Sequence, residues 1–119
     1  MNQRTHGRFG PGPIVTIHVL AAIGILFWLA MVVQAFVAGA SNAALVLLLA
    51  IALGGAHLAI WVWTSRHSRM AIWAMWIVLV GDALLTLLVD VKAVILVIAT
   101  VVLLVLARTP SARAWYAGA

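Results

Sequence analysis

Apolar residues fill this chain in long blocks, and the polar positions between them are few and clustered. The first block runs from Ile14 to Ala38, where Gly39 ends it. Gly39-Ala40-Ser41-Asn42 then forms a short polar turn, with Asn42 placed to cap a second helix over 43–63. The basic turn Thr64-Ser65-Arg66-His67-Ser68-Arg69 follows, and Ser68 is the expected cap of a third helix. From Met70 to Ala107 the apolar character is nearly unbroken. One helix of that length would measure about 55 Å at about 1.5 Å per residue, against a hydrocarbon core of about 30 Å. It must therefore fold back. The charged break Asp90-Val91-Lys92 is the place to do so, with Asp90 capping the fourth helix and its charge favouring that N-terminus. Spans are expected at 70–89 and 91–107.

Each block approaches the roughly 20 apolar residues that cross a bilayer as a helix. The pattern predicts an all-α integral membrane protein, a four-transmembrane-helix bundle running up-down-up-down. Residues 1–13, with His6 solvated among them, are read as a flexible basic tail, and Pro13 suits the first helical turn. Residues 14–108 make the membrane domain. Residues 109–119 are a short interfacial tail, with Thr109-Pro110 stopping the fourth helix.

Composition sharpens the class. Of 119 residues, 67% are hydrophobic and 8% charged, too little charge to cover a soluble domain of this length. The first apolar block is longer than the roughly 7–15 residues of a cleaved signal's core, so no cleavage is expected. There is no cysteine, which excludes disulfides, thiolate metal sites and thiol catalysis. The net charge of +5 sits in the flanks and one turn, where it directs topology rather than nucleic-acid binding. Arg4, Arg8, Arg66, Arg69, Arg108 and Arg113 fall on one side, and only Lys92, offset by Asp90, on the other. Both termini are therefore expected in the cytoplasm. The excess of Arg over Lys and the abundance of Ala look like GC-rich coding, which fits a bacterial plasma membrane. Trp61, Trp63, Trp73, Trp76 and Trp115 group near the cytoplasmic interface as anchors, leaving Trp28 in mid-span. The second helix is rich in small residues, and the spacings Ala50–Gly54 and Gly55–Ala59 permit close helix packing.

Few residues could carry chemistry. Counting from the cytoplasmic ends puts His18 about 6 Å deep, His57 and Thr100 about 10 Å, and Asp82 about 18 Å. A polar seam is expected, with His18, His57 and Thr100 in one layer and Asp82 and Thr86 below. Asp82 is the sharpest signal, because a carboxylate at a helix centre costs about 2.5–3.5 kcal/mol on insertion scales. It is expected as a neutral interhelical hydrogen-bonding group, as a contact to a partner, or as a proton- or cation-handling site with His57 beside it. His18 and His57 could instead ligate haem b, histidine being a common axial ligand. A metal site of His18, His57 and Asp82 is disfavoured by the depth of Asp82. No catalytic serine, phosphate-binding loop or zinc spacing occurs, so no enzyme is expected.

The expectation for function is a non-enzymatic accessory, assembly or stabilising subunit of a larger membrane complex. Its partners would be the lipid bilayer and other membrane subunits or further copies of itself. The alternatives are an oligomeric proton- or cation-coupled small-solute transporter using Asp82, and a bis-His haem b electron-transfer subunit.

Overall fold

The computed structural model describes residues 10–88 and 90–118, so Arg4, His6, Arg8 and Val89 lie outside the described residues. Every regular element among the described residues is helical. In chain order these are α1 (Gly12–Val37), α2 (Ala43–Leu49), a π-helical segment (Ala50–Gly54), α3 (Gly55–Ser65), α4 (Met70–Leu88), a 3₁₀ turn (Val91–Ala93), α5 (Val94–Ala107) and α6 (Pro110–Tyr116). Three helices are long and apolar enough to cross a membrane: Gly12–Val37, Ala43–Ser65 and Met70–Leu88. A fourth is counted if Val91–Ala107 and Pro110–Tyr116 form one broken span, bent by 79°.

The caps follow local chemistry. Pro13 stands in the first turn of α1, where its missing N–H costs no hydrogen bond. Gly39 adopts φ +63° after α1, and the N–H groups of Ala40 and Gly39 donate back to the carbonyls of Ala35 and Phe36. The same closure ends α3, with the N–H groups of Ser68 and His67 donating to Trp63 and Thr64. There the left-handed residue is His67, at φ +58°, not a glycine. Its ring stacks on Trp115 at 3.8 Å and its Nδ1 lies 2.9 Å from the Trp115 carbonyl, contacts that offset the backbone strain. Ser68 caps α4 as expected, accepting from the Met70 N–H at 3.2 Å. Asp90 caps the 3₁₀ turn before α5, accepting from the Lys92 N–H at 2.9 Å. Asn42 precedes α2 but makes no side-chain cap bond, contrary to the expectation.

The core is a set of helical stripes. Ile14, Ile17, His18 and Ala21 face inward from α1, and Ala71, Ala74, Met75, Val78 and Asp82 from α4, at the three-and-four spacing of one helix face. On α3 the inward residues are His57, Ile60 and Thr64, and on α5 Thr100, Leu103, Leu104 and Ala107. Polar side chains thus share the buried faces with apolar ones.

Two further features depart from the sequence expectation. The second helix carries a π segment over Ala50–Gly54, an arrangement found mostly as a local bulge, frequently at functional sites. Before it, α2 buries no residue; after it, α3 presents a continuous inward face. Each residue in an α-helix turns the face by about 100°, so the π turn redirects which side points inward. The second departure is α6. Pro110 does not end the helical structure but begins a new helix, with Thr109 at its N-cap position. Ala112 and Tyr116 from α6 are buried in the main core. The tail beyond 109 closes one end of the bundle.

Candidate functional site

Asp82 lies on the inward face of α4, 1% exposed. Opposite it on α5 is Thr100, also buried, whose Oγ1 is 2.8 Å from Asp82 Oδ2. The same Oγ1 is 2.8 Å from the Leu96 carbonyl oxygen, one turn earlier on α5. A threonine hydroxyl has one proton to donate. If Asp82 were a carboxylate, it and the Leu96 carbonyl would compete for that proton. If Asp82 is a carboxylic acid, both contacts are made at once: Asp82 Oδ2–H donates to Thr100 Oγ1, which donates to Leu96. The arrangement fits the acid. The other carboxyl oxygen, Oδ1, is buried with no hydrogen-bond partner among the described residues. Thr86, one turn along, donates to the backbone carbonyl of Asp82 at 2.9 Å and so leaves the carboxyl group alone.

His57 is tied to the Asp82 turn through Leu53, which packs on Gly81. It is buried on α3, with Nδ1 2.7 Å from the Leu53 carbonyl in the π segment. Its imidazole lies against Gly24 of α1, where a Cβ would run into the ring. Gly81, next to Asp82, gives the same kind of room to Leu53, whose Cδ2 would stand 2.5 Å from a Cβ there. Two glycines therefore set the site's dimensions: Gly24 admits His57 and Gly81 admits Leu53.

His18 is elsewhere. Its Nδ1 is 3.0 Å from the Ile14 carbonyl and its Nε2 3.0 Å from Ser65 Oγ, and its ring meets Trp61 edge-on at 4.7 Å. His57 sits at the level of Gly24, six residues further along α1, which is about 9 Å at about 1.5 Å per residue. The expected layer of His18, His57 and Thr100 does not form, and Thr100 pairs with Asp82. The depth count had assumed that all helices begin in one plane. In fact α5 stops short at Ala107, and α6 fills the space beneath its end.

Bis-His ligation does not fit this geometry. The two imidazoles are offset along the bundle and both nitrogens of His18 are engaged by protein groups, while axial ligands must meet at one iron. Nor do three His, Cys, Asp or Glu side chains among the described residues cluster as metal ligands.

The expected packing residues divide. Gly54 packs on Trp28, whose Cβ would be 3.3 Å from an added methyl, and Ala59 packs against the core. A Cβ at Gly55 would face open space, and Ala50 is half-buried. Gly24 and Gly81 were missed. Each is a lone glycine within an apolar run, and no spacing in the sequence names its partner on another helix.

The tryptophans divide as well. Trp73 and Trp76 are exposed, Trp61 and Trp63 partly buried against the core. Trp115 is more than an anchor: it donates Nε1–H to the Thr64 carbonyl at 2.7 Å beside its stack with His67. Tyr116 adds a bond to Thr64 Oγ1 at 2.9 Å. Tyr116→Phe is expected to lower stability by about 1 kcal/mol, read as a shift in thermal unfolding in detergent. An unchanged transition would show that Thr64 is equally well satisfied without it.

No protein family model, curated protein or solved structure matches the chain.

Proposed function

We propose that the chain is a multi-pass protein of the bacterial plasma membrane that acts as a non-enzymatic accessory, assembly or stabilising subunit of a larger membrane complex. Four helices would cross the bilayer up-down-up-down, with both termini in the cytoplasm. The orientation is supported by Arg66, Arg69, Arg108 and Arg113, which lie with the contacts of α6 at one end, while Asp90 and Lys92 lie at the other.

The observation that carries the subunit reading is where the polar groups go. His18 is engaged with Ser65, Thr64 with Tyr116, His67 with Trp115 and Thr100 with Asp82, so these side chains hold helix to helix. The outward surface is apolar along the helices, with Ile23, Leu29, Val33, Ile77, Leu84 and Ile98 each exposed. Such a surface meets lipid or the apolar faces of other membrane helices. Purification from native membranes in mild detergent tests this. Distinct chains co-eluting at fixed stoichiometry are expected, and a pure homo-oligomer would overturn the accessory role.

A second reading has one specific observation behind it. Asp82 Oδ1 is buried without a hydrogen-bond partner among the described residues, and a buried unsatisfied polar atom calls for an explanation. A proton- or cation-coupled carrier would use that carboxyl group as its exchangeable site. In liposomes its proton flux should then disappear in Asp82→Asn, and flux equal to wild type in that variant removes the reading.

A further inference from the structure

At the end of the bundle opposite α6, the helices do not close. There α2 buries no residue anywhere along its length, and a gap remains between α1 and α2 on one side and α4 and α5 on the other. The wedge between them is a half-open cavity of about 360 Å³, within the roughly 300–1,000 Å³ of small-molecule sites. Its walls are apolar, made by Phe27 and Trp28 from α1, Leu49 from α2, Leu85 from α4 and Leu96 from α5. Asn42, Asp90 and Lys92 line its mouth.

We propose that this wedge holds one phospholipid with a zwitterionic ethanolamine headgroup. Its acyl chain occupies the apolar walls, its phosphate meets Lys92, and its ammonium meets Asp90.

Three considerations select this occupant. An empty apolar space forfeits the dispersion contacts of every group that lines it. Water does not relieve that loss, because a buried water needs two to four polar partners and Trp28, with its one indole N–H, is the single polar side chain on the inner walls. In a bilayer the apolar chain at hand belongs to a lipid. The mouth then chooses the headgroup. Lys92 and Asp90 place opposite charges two residues apart, at the ends of helices where spans of this length reach the headgroup layer. Asp90 Oδ1 is held by the Lys92 N–H, which fixes the carboxylate at the rim. A phosphate–ammonium pair complements both charges. Phosphatidylglycerol would satisfy Lys92 and leave Asp90 facing an anion, whereas phosphatidylcholine has no N–H to donate to Asp90.

The test uses the full chain, reconstituted in vesicles with equal parts of phosphatidylethanolamine, phosphatidylglycerol and phosphatidylcholine, then extracted in mild detergent and weighed by native mass spectrometry. One retained phosphatidylethanolamine per chain is expected. Lys92→Gln, at an exposed position that leaves the core untouched, should lower its retention about fivefold. Val46 of α2 also lines the wedge, and Val46→Phe, which fills it, should remove the lipid. Equal retention of the three lipids would overturn the proposal, as would undiminished retention in Lys92→Gln. A second copy of the chain covering the wedge, seen as a dimer broken by Val46→Phe, would overturn it too.

Discussion

Asp82→Asn is expected to leave the bundle as stable as wild type to within about 0.5 kcal/mol, while Thr100→Val costs about 1–2 kcal/mol. The contrast comes from counting protons. Thr100 Oγ1 stands 2.8 Å from both Asp82 Oδ2 and the Leu96 carbonyl, and it can donate to only one of them. With Asp82 as an acid, the chain of donors runs from the carboxyl to the hydroxyl to the carbonyl. The amide of Asn supplies the first donor equally well, so the chain survives the substitution. Valine keeps the shape of threonine and removes the link, leaving a buried acid proton without an acceptor. Unfolding in mixed detergent measures both. If Asp82→Asn were as damaging as Thr100→Val, the carboxyl group would be an anion held by the hydroxyl, and the accounting would reverse. Asp82→Lys tests the burial itself: a cation at this depth should cost about 3 kcal/mol and prevent assembly.

Much of this fold was legible because its determinants are local. Gly39 ends α1, Ser68 caps α4, and Asp90 caps the turn into α5, each through bonds within a few residues. Asp82, His57 and Thr100 stood out because polar residues in apolar runs are costly and therefore few. Their grouping was less legible. Depth counted along each helix put Thr100 with His18, because α5 ends at Ala107, seven residues past Thr100, while α4 begins twelve residues before Asp82, so their ends on the α6 side are not level. The role of α6 was hidden for a similar reason. Pro110 reads equally as a stop and as the first residue of a helix, and only the packing of Ala112 and Tyr116 decides between them. The π segment left no mark in the pattern of apolar residues, since all five of Ala50–Gly54 are apolar or glycine.

Gly24 shows what a sequence hides when a contact is made by an absent atom. It occupies an ordinary position in the middle of α1, with no turn and no unusual backbone angle to require glycine. Helix propensity alone favours replacing it, by about 1 kcal/mol for alanine. The structure reverses the sign, because the His57 imidazole fills the space that a Cβ would take. The ring cannot move aside freely, since its Nδ1 is held by the Leu53 carbonyl at 2.7 Å, and Leu53 is itself wedged over Gly81. Gly24→Val is therefore expected to destabilise by about 3 kcal/mol, at the upper end of overpacking costs. The strain belongs to one pair, so His57→Ala in the same chain should recover most of it. A double variant as unstable as Gly24→Val alone would place the clash elsewhere on α1. Recovery would establish that α1 and α3 are held in register by a histidine lodged over a glycine, one helix away from Asp82.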